Sequence, residues 1–203
     1  PILTHVTISN NTAEYYGGGM RLSNSNPILT NVTIANNTAN NGGGGMYLNY
    51  SDPIMTNSII WDNSPQSIYT SSGTPLITYS DIEGGWEGEG NIDDNPQFTD
   101  PDNGDYTLME TSPCIDTGTI IEDMEYCGDA PDMGAYEYCE EECGAELADV
   151  TGDGQINVLD LVQISYYVLE LSTPAYPCAA DYNQDGQVNI LDLVQISNYI
   201  LNP

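Results

Sequence analysis

The sequence is almost without positive charge. Its 203 residues contain no lysine and one arginine, Arg21, against 31 Asp and Glu, so with His5 neutral the formal charge is −30 at pH 7. A surface of that sign cannot displace the counterions of a phosphate backbone, which excludes nucleic acid as a natural partner. There is a single phenylalanine, only 39% of residues are hydrophobic, and no apolar run approaches the ~18 residues of a membrane span, so no spanning segment is expected. What is abundant is Gly (20) and Tyr (15), with 5 Cys, a composition that suits a turn-rich β architecture. The sequence opens on Pro1 without a signal peptide and is read as a processed chain or a fragment.

The charge is unevenly placed. Residues 1–80 hold three acids (Glu14, Asp52, Asp62), residues 81–146 hold 21 and residues 147–203 hold seven, which suggests three regions. A surface so poor in cations repels itself, and bound cations or salt relieve the strain. With the cysteines, this favours a secreted, extracellular or cell-surface setting.

An internal repeat fills the first region. Pro1–Asn26 and Pro27–Asp52 agree at 17 of 26 positions, a third copy begins at Pro53 after the same interval, and an eroded fourth begins at Pro75 after 22. Each copy has short β-type stretches separated by Gly and Asn and is too short to bury its own apolar face, so the copies must stack as coils of a parallel β-helix. The expected inward residues are Leu3, Val6, Ile8, Met20 and Leu22, then Leu29, Val32, Ile34, Met46 and Leu48, then Met55, Ser58 and Ile60. The three-residue spacing between Leu29 and Val32 breaks alternation and predicts a bend at Asn31, in one column with His5, Asn57 and Tyr79. Asn10 and Asn36, and Asn11 and Asn37, fall in register, where side-chain amides can bond from coil to coil. Asn10, Asn31, Asn36 and Asn49 also begin Asn-x-Ser/Thr triplets, candidates for glycosylation, although Asn and Thr columns arise in such coils for structural reasons alone. Arg21 faces Tyr47 of the next coil as a candidate cation–π pair.

Residues 84–138 are acidic and rich in turn signals, and an irregular closing segment is expected there. The strings NIDDNPQF (91–98), GDYTL (104–108), SPCIDTG (112–118) and DMGAYEY (132–138) resemble the closing part of bacterial β-helix surface proteins of the choice-of-anchor Q type. That resemblance covers residues 1–138 and implies a secreted or surface-displayed stalk. Asp93, Asp94, Asp100, Asp102 and Asp105 are dense enough to suggest paired-carboxylate glycosidic chemistry, but they read better as a solvated acidic cap or a weak cation site. A lyase would need a strong cation over the sugar, and Arg21 stands alone. No catalytic residues are assigned.

The last region holds a second repeat, offset by 32 residues. Asp149–Leu169 and Asp181–Leu201 agree at 14 of 21 positions. Each has oxygen-bearing side chains at positions 1, 3, 5, 9 and 12 and Gly at 6, the spacing that wraps a loop around a hard cation. The expected ligands are Asp149, Thr151, Asp153, the Gln155 carbonyl, Asn157 and Asp160, and then Asp181, Asn183, Asp185, the Gln187 carbonyl, Asn189 and Asp192, for two Ca²⁺ ions. Each loop runs into a helix whose apolar stripe, Leu161/Ile164/Val168 or Leu193/Ile196/Ile200, is placed for mutual packing. A loop followed by one helix, duplicated over residues 147–203, closely resembles a type I dockerin module. The resemblance implies calcium-dependent folding and a cohesin-like protein partner met at Val158, Leu159, Tyr166 and Tyr167 and at Ile190, Leu191, Asn198 and Tyr199. The apolar and aromatic groups offered there give weight to an intramolecular or self-assembly contact beside a cohesin-like partner, and the alternative is that these residues only line a core within the module.

Five cysteines cannot all pair within one chain. Cys143 and Cys178 each precede a calcium loop, so a bridge between them would tie the module's halves; Cys114 and Cys127 could staple the closing segment, leaving Cys139 free or intermolecular. A zinc site is poorly supported without histidine beside them.

The expected fold is therefore mainly β: about four β-helix coils (1–83), an acidic closing segment (84–139), a linker (140–146) and a small α-helical module with two calcium loops (147–203). The expected role is a non-enzymatic extracellular structural or assembly protein that self-assembles into a surface or filamentous structure. The alternative is the C-terminal part of a secreted carbohydrate-active enzyme. Interaction with glycan is left open.

Overall fold

The computed structural model describes residues 1–139, 143–184 and 187–201. Contacts divide the chain into two compact units, Pro1–Glu140 and Glu141–Pro203. The expected linker falls partly on residues 140–142, outside the described residues.

The first unit is a parallel β-solenoid of about three turns. Coil one contributes β1 (Ile2–Ser9), β2 (Thr12–Ala13) and β3 (Met20–Ser23); coil two contributes β4 (Ile28–Ala35), β5 (Thr38–Ala39) and β6 (Met46–Asn49); coil three contributes β7 (Ile54–Thr56), β8 (Ile59–Trp61) and β9 (Ile68–Ser72). The fourth copy supplies only β10 (Leu76–Thr78) and β11 (Asp81–Ile82), so the four expected coils are three turns and a partial fourth. Its shorter repeat has no strand to continue the sheet formed by β3, β6 and β9. Strands stack parallel at the repeat interval, with Leu3 on Leu29 on Met55 and Met20 on Met46 on Ile68.

The interior follows the repeat. Leu29, Val32, Ile34, Met46, Leu48, Met55 and Ile60 are buried, and Leu3, Val6, Ile8 and Met20 pack against them with partial exposure. Each fully buried aliphatic side chain contributes roughly 1.5–3 kcal/mol. Ser58 takes the inward place of Val32 one coil on. It is fully buried, accepting from the Val32 N–H (3.0 Å) and donating to the Thr56 carbonyl (2.9 Å).

The corners are left-handed as the spacing requires: His5, Asn31, Asn57 and Tyr79 have φ of 52°, 49°, 49° and 47°. Asn tolerates this region better than most residues, because its short polar side chain bonds locally. The Asn11 and Asn37 amides do bond between coils, with Asn11 Nδ2 donating to Asn37 Oδ1 (3.0 Å) and Asn37 Nδ2 to Asn63 Oδ1 (3.1 Å). Asn10 and Asn36 behave differently, because the Tyr106 hydroxyl stands between them and accepts from both amides at 3.1 Å. The Arg21 guanidinium lies 5.6 Å from the Tyr47 ring centroid, and Tyr16 and Tyr69 complete an aromatic cluster over these coils.

The closing segment is more ordered than its turn signals suggest. β12 (Phe98–Asp100) and β13 (Asp105–Leu108) form an antiparallel hairpin. Phe98, Tyr106, Leu108, Cys114 and Met133 build a second core with Ala35 and Ile59 on the outer face of the coils. The segment then follows the bend column: Asn57 exchanges hydrogen bonds with Thr119 (both 2.8 Å), Asn31 Nδ2 donates to the Asp132 carbonyl (2.9 Å), and the Ala135 N–H donates to Thr33 Oγ1 (2.9 Å). Gly134 is obligatory here, since a Cβ would lie 2.8 Å from Ile59 Cδ1 at a φ of +104°.

The expected Cys114–Cys127 bridge is not formed. Cys127 pairs with Cys139, 12 residues on with Cα atoms 5.3 Å apart, so Cys139 is not free. Cys114 is the free cysteine instead, because the second core encloses it and turns its thiol onto Asp81 Oδ2 at 3.3 Å. Cys143 is joined to Cys178.

Candidate calcium and docking site

The second unit is built from the 32-residue repeat. Each copy folds as a loop followed by a helix, α1 (Val158–Val168) and α2 (Ile190–Leu201). Ile164 and Ile196 are fully buried with Ala148, Val150, Ala179 and Ala180, and Leu161, Val168, Leu193 and Ile200 pack against them. The two expected stripes therefore meet in one core, and the Cys143–Cys178 bridge joins the segments that lead into the two loops.

The helix starts repeat in detail. In the first, Asn157 Oδ1 accepts from the Leu159 N–H (2.9 Å) while Asp160 Oδ2 accepts from the Asn157 N–H (2.9 Å), a reciprocal capping box. In the second, Asn189 Oδ1 accepts from Leu191 (2.8 Å) and Asp192 Oδ2 from Asn189 (2.9 Å). The other oxygen of each aspartate reaches back across the loop, Asp160 Oδ1 to the Thr151 N–H (3.1 Å) and Asp192 Oδ1 to the Asn183 N–H (3.2 Å). Position 12 is thereby drawn onto position 3 in both copies, with Asp160 and Asp192 fully buried.

Asp149 organises the first loop. Its Oδ1 accepts from the N–H groups of Gly152 (2.9 Å) and Asp153 (3.2 Å), and its Oδ2 from Gly154 (2.8 Å). Burial pushes this carboxyl up, but the donors of Gly154, Asp153 and Gly152 outweigh it and hold its pKa below the ordinary value. Gly152 has φ of +72°, and a Cβ there would lie 2.1 Å from the Tyr176 ring, so this position requires glycine. The equivalent position 184 is Gln with φ of +56°.

The donors fit a hard cation. Both loops offer carboxylate, amide and carbonyl oxygens, the first adds the Thr151 hydroxyl, and there is no thiol or imidazole among the expected ligands. Asn157 Nδ2 donates to the Gln155 carbonyl (3.0 Å) and Asn189 Nδ2 to the Gln187 carbonyl (2.9 Å), so positions 7 and 9 are adjacent in both copies. Among the described residues no three carboxylate, imidazole or thiol groups are gathered as a metal cluster. The ion would combine carboxylates with the neutral oxygens, and it would supply the positive charge that holds the loop closed. Asp185 of the second loop lies outside the described residues.

The expected docking residues divide into two groups. Val158 (62%), Leu159 (58%), Ile190 (62%) and Leu191 (56%) are strongly exposed apolar side chains in the first turns of the helices, and Tyr166, Asn198 and Tyr199 are exposed further along. Tyr167 instead packs against the module's core, and the Tyr199 ring lies 6.2 Å from that of Tyr182. Val162 and Val194 are also exposed and belong with the first group. They stand one helical turn beyond Val158 and Ile190, a spacing that could have identified them.

Of the candidate glycosylation sites, Asn10 is exposed, Asn36 and Asn49 are half-buried, and Asn31 is enclosed beneath Asp132. Among the described residues no helix is long and apolar enough to cross a membrane.

The family models for "Dockerin type I domain" and "Right handed beta helix region" match residues 147–201 and 4–96. No curated protein and no solved structure matches the chain. Type I dockerin domains bind Ca²⁺ through two loops and dock onto a protein, typically a cohesin, and dockerin and β-helix domains are typical of extracellular or cell-surface proteins. The chain thus carries a right-handed β-helix region over residues 4–96 and a type I dockerin domain over residues 147–201.

Proposed function

We propose that the protein is a non-enzymatic extracellular assembly element, a β-helix stalk whose dockerin domain associates once two Ca²⁺ ions are bound. The ions are held by Asp149, Thr151, Asp153, Gln155, Asn157 and Asp160, and by Asp181, Asn183, Asp185, Gln187, Asn189 and Asp192. The observation that carries this reading is the repetition, in both copies, of a position-12 aspartate bonded back to position 3 beside an exposed apolar helix start.

Val158, Leu159, Ile190 and Leu191 form the partner face, with Tyr166, Asn198 and Tyr199 at its rim. Exposed apolar clusters on so acidic a surface favour an interface. A cohesin-like protein or a second copy of the chain fits it. The resemblance of residues 84–138 to choice-of-anchor Q surface proteins supports display at a cell surface. Of the acidic cap residues Asp93, Asp94, Asp100, Asp102 and Asp105, three bond locally: Asp93 accepts from the Gly84 N–H, Asp100 from Asn103 Nδ2, and Asp105 from the Thr107 N–H and hydroxyl, which supports a structural reading for these three.

Like charge opposes association, and two Ca²⁺ would bring −30 to −26 while neutralising the loops beside the docking face. Light scattering should show a calcium-dependent rise in mass that Leu159→Asp/Leu191→Asp abolishes without altering calcium binding. A protein that stays monomeric with calcium and degrades a polysaccharide would overturn the reading in favour of an enzyme.

A further inference from the structure

At the partial fourth coil the chain covers two of its sheet edges and leaves a third uncovered. On β10, the Ile77 carbonyl accepts from Asn91 Nδ2 (2.9 Å), and just beyond the strand the Tyr79 N–H donates to the Glu89 carbonyl (2.7 Å). Ile92 covers β11: its carbonyl accepts from the Ile82 N–H and its N–H donates to the Ser80 carbonyl, both at 3.0 Å. Among the described residues β9 pairs with β6 alone. Exposed edges are ordinarily blunted by charge or proline, but β9 reads Ile-Tyr-Thr-Ser-Ser and has neither, only a register shift at Ser71. The interior is open beside it. Thr70 is in register with fully buried Leu48 yet is itself exposed, because the fourth coil has no strand to cover it.

We propose that β9 is a docking edge for an extended segment of a protein partner, which adds as a parallel strand in the place left open by the fourth coil and carries a cation between two apolar residues.

The columns of the sheet set that pattern. Met20, Met46 and Ile68 form one inward column and Leu22, Leu48 and Thr70 the other, so the added strand meets the coil interior at two alternate positions. Between them Arg21, Tyr47 and Tyr69 run along the outer face. The Tyr47 and Tyr69 rings are stacked, with centroids 5.8 Å apart and planes 9° apart, and the Arg21 guanidinium lies 5.6 Å from the Tyr47 centroid. Tyr69 turns one ring face to Tyr47 and is 38% exposed. Its other face takes a guanidinium or ammonium of the added strand as Tyr47 takes Arg21. A cation also suits a chain of charge −30, whereas a second copy would bring 31 acids of its own. Main-chain hydrogen bonds along the edge supply affinity, and the alternate side chains supply specificity. The edge belongs to the first unit and is independent of the calcium loops and the docking helices.

The probe is a fluorescently labelled peptide of residues 16–25, YGGGMRLSNS, whose Met-Arg-Leu has the required pattern. Titrated with the full chain and followed by anisotropy, it should bind saturably below about 1 mM and slow amide exchange in residues 68–72. Arg21→Gln in the peptide, or Tyr69→Ala in the protein, should each weaken binding about tenfold, and both together no more than either alone. Thr70→Lys, which puts a charge on the edge, should abolish binding. Affinity should be the same with calcium and with chelator, whereas association through the docking helices requires calcium. Absence of binding, loss of binding on chelation, or an affinity indifferent to Tyr69→Ala and Thr70→Lys would overturn the proposal. So would a rise in mass of the chain alone that the peptide reverses, since a second copy would then occupy the edge. The peptide variant needs no altered protein, so an affinity unchanged by Arg21→Gln refutes the cation site even where Tyr69→Ala does not fold.

Discussion

Replacing Asn37 with leucine keeps the side chain's bulk but removes the central member of the asparagine ladder. Asn37 is fully buried; its Oδ1 accepts from the Asn11 N–H (2.9 Å) and Asn11 Nδ2 (3.0 Å), and its Nδ2 donates to the carbonyls of Ile8 (2.8 Å) and Ala35 (3.0 Å) and to Asn63 Oδ1 (3.1 Å). The three Nδ2 contacts share two hydrogens, so about four bonds are lost. At roughly 1 kcal/mol net each, the substitution should cost about 3–4 kcal/mol; the Ala35 carbonyl keeps the Asn10 N–H (3.3 Å) and Asn63 Oδ1 keeps the Asn37 N–H (3.0 Å). That is a large part of a typical domain's stability of roughly 5–15 kcal/mol. Asn11→Leu is the control: Asn11 is exposed, water can replace its partners, and the cost should stay below about 1 kcal/mol. Both tryptophans, Trp61 and Trp86, lie in the first unit, so urea unfolding followed by tryptophan fluorescence reads it selectively. If Asn37→Leu costs no more than Asn11→Leu, the ladder does not carry the coil-to-coil register and the reasoning fails.

The covalent frame gives further expectations. Peptide mapping under non-reducing conditions should recover Cys127–Cys139 and Cys143–Cys178, with Cys114 labelled by a thiol reagent only after denaturation; a Cys114–Cys127 peptide would contradict the fold of the closing segment. Cys143→Ala/Cys178→Ala should destabilise the second unit by about 2–4 kcal/mol, read from the loss of helical circular dichroism on heating, while leaving the first unit unchanged.

The coils were legible because the repeat aligns inward positions by itself: the same columns that pair Leu29 with Met55 also place the left-handed corner at Asn31. The calcium loops were legible for the same reason, since spacing alone fixes which oxygens share a turn. The closing segment was not, because its partners are far away in sequence. Tyr106 reaches Asn10 and Asn36 across 96 and 70 residues, and Ala135 reaches Thr33 across 102. Its hairpin had a local signal, Asn103-Gly104 between Phe98–Asp100 and Asp105–Leu108, which the surrounding prolines and acids obscured. Of the cysteine pairings, Cys143–Cys178 is formed and Cys114–Cys127 is not, because spacing in sequence says nothing of burial, and burial in the second core decides the state of Cys114. Tyr167 was named by its match to the family's recognition positions, and which way a tyrosine one position off the apolar stripe turns is not fixed by spacing; it packs partly against the module's core.

The central claim is that two oxygen-lined loops bind calcium and that the helical unit folds on those ions while the coils do not. Calorimetric titration of the chelator-treated full chain measures this directly. Two Ca²⁺ ions per chain are expected, Asp160→Ala or Asp192→Ala should remove one of them, and chelation should erase the helical signal of α1 and α2 without changing tryptophan fluorescence. The absence of calcium binding, or a helical signal indifferent to the chelator, would contradict the account.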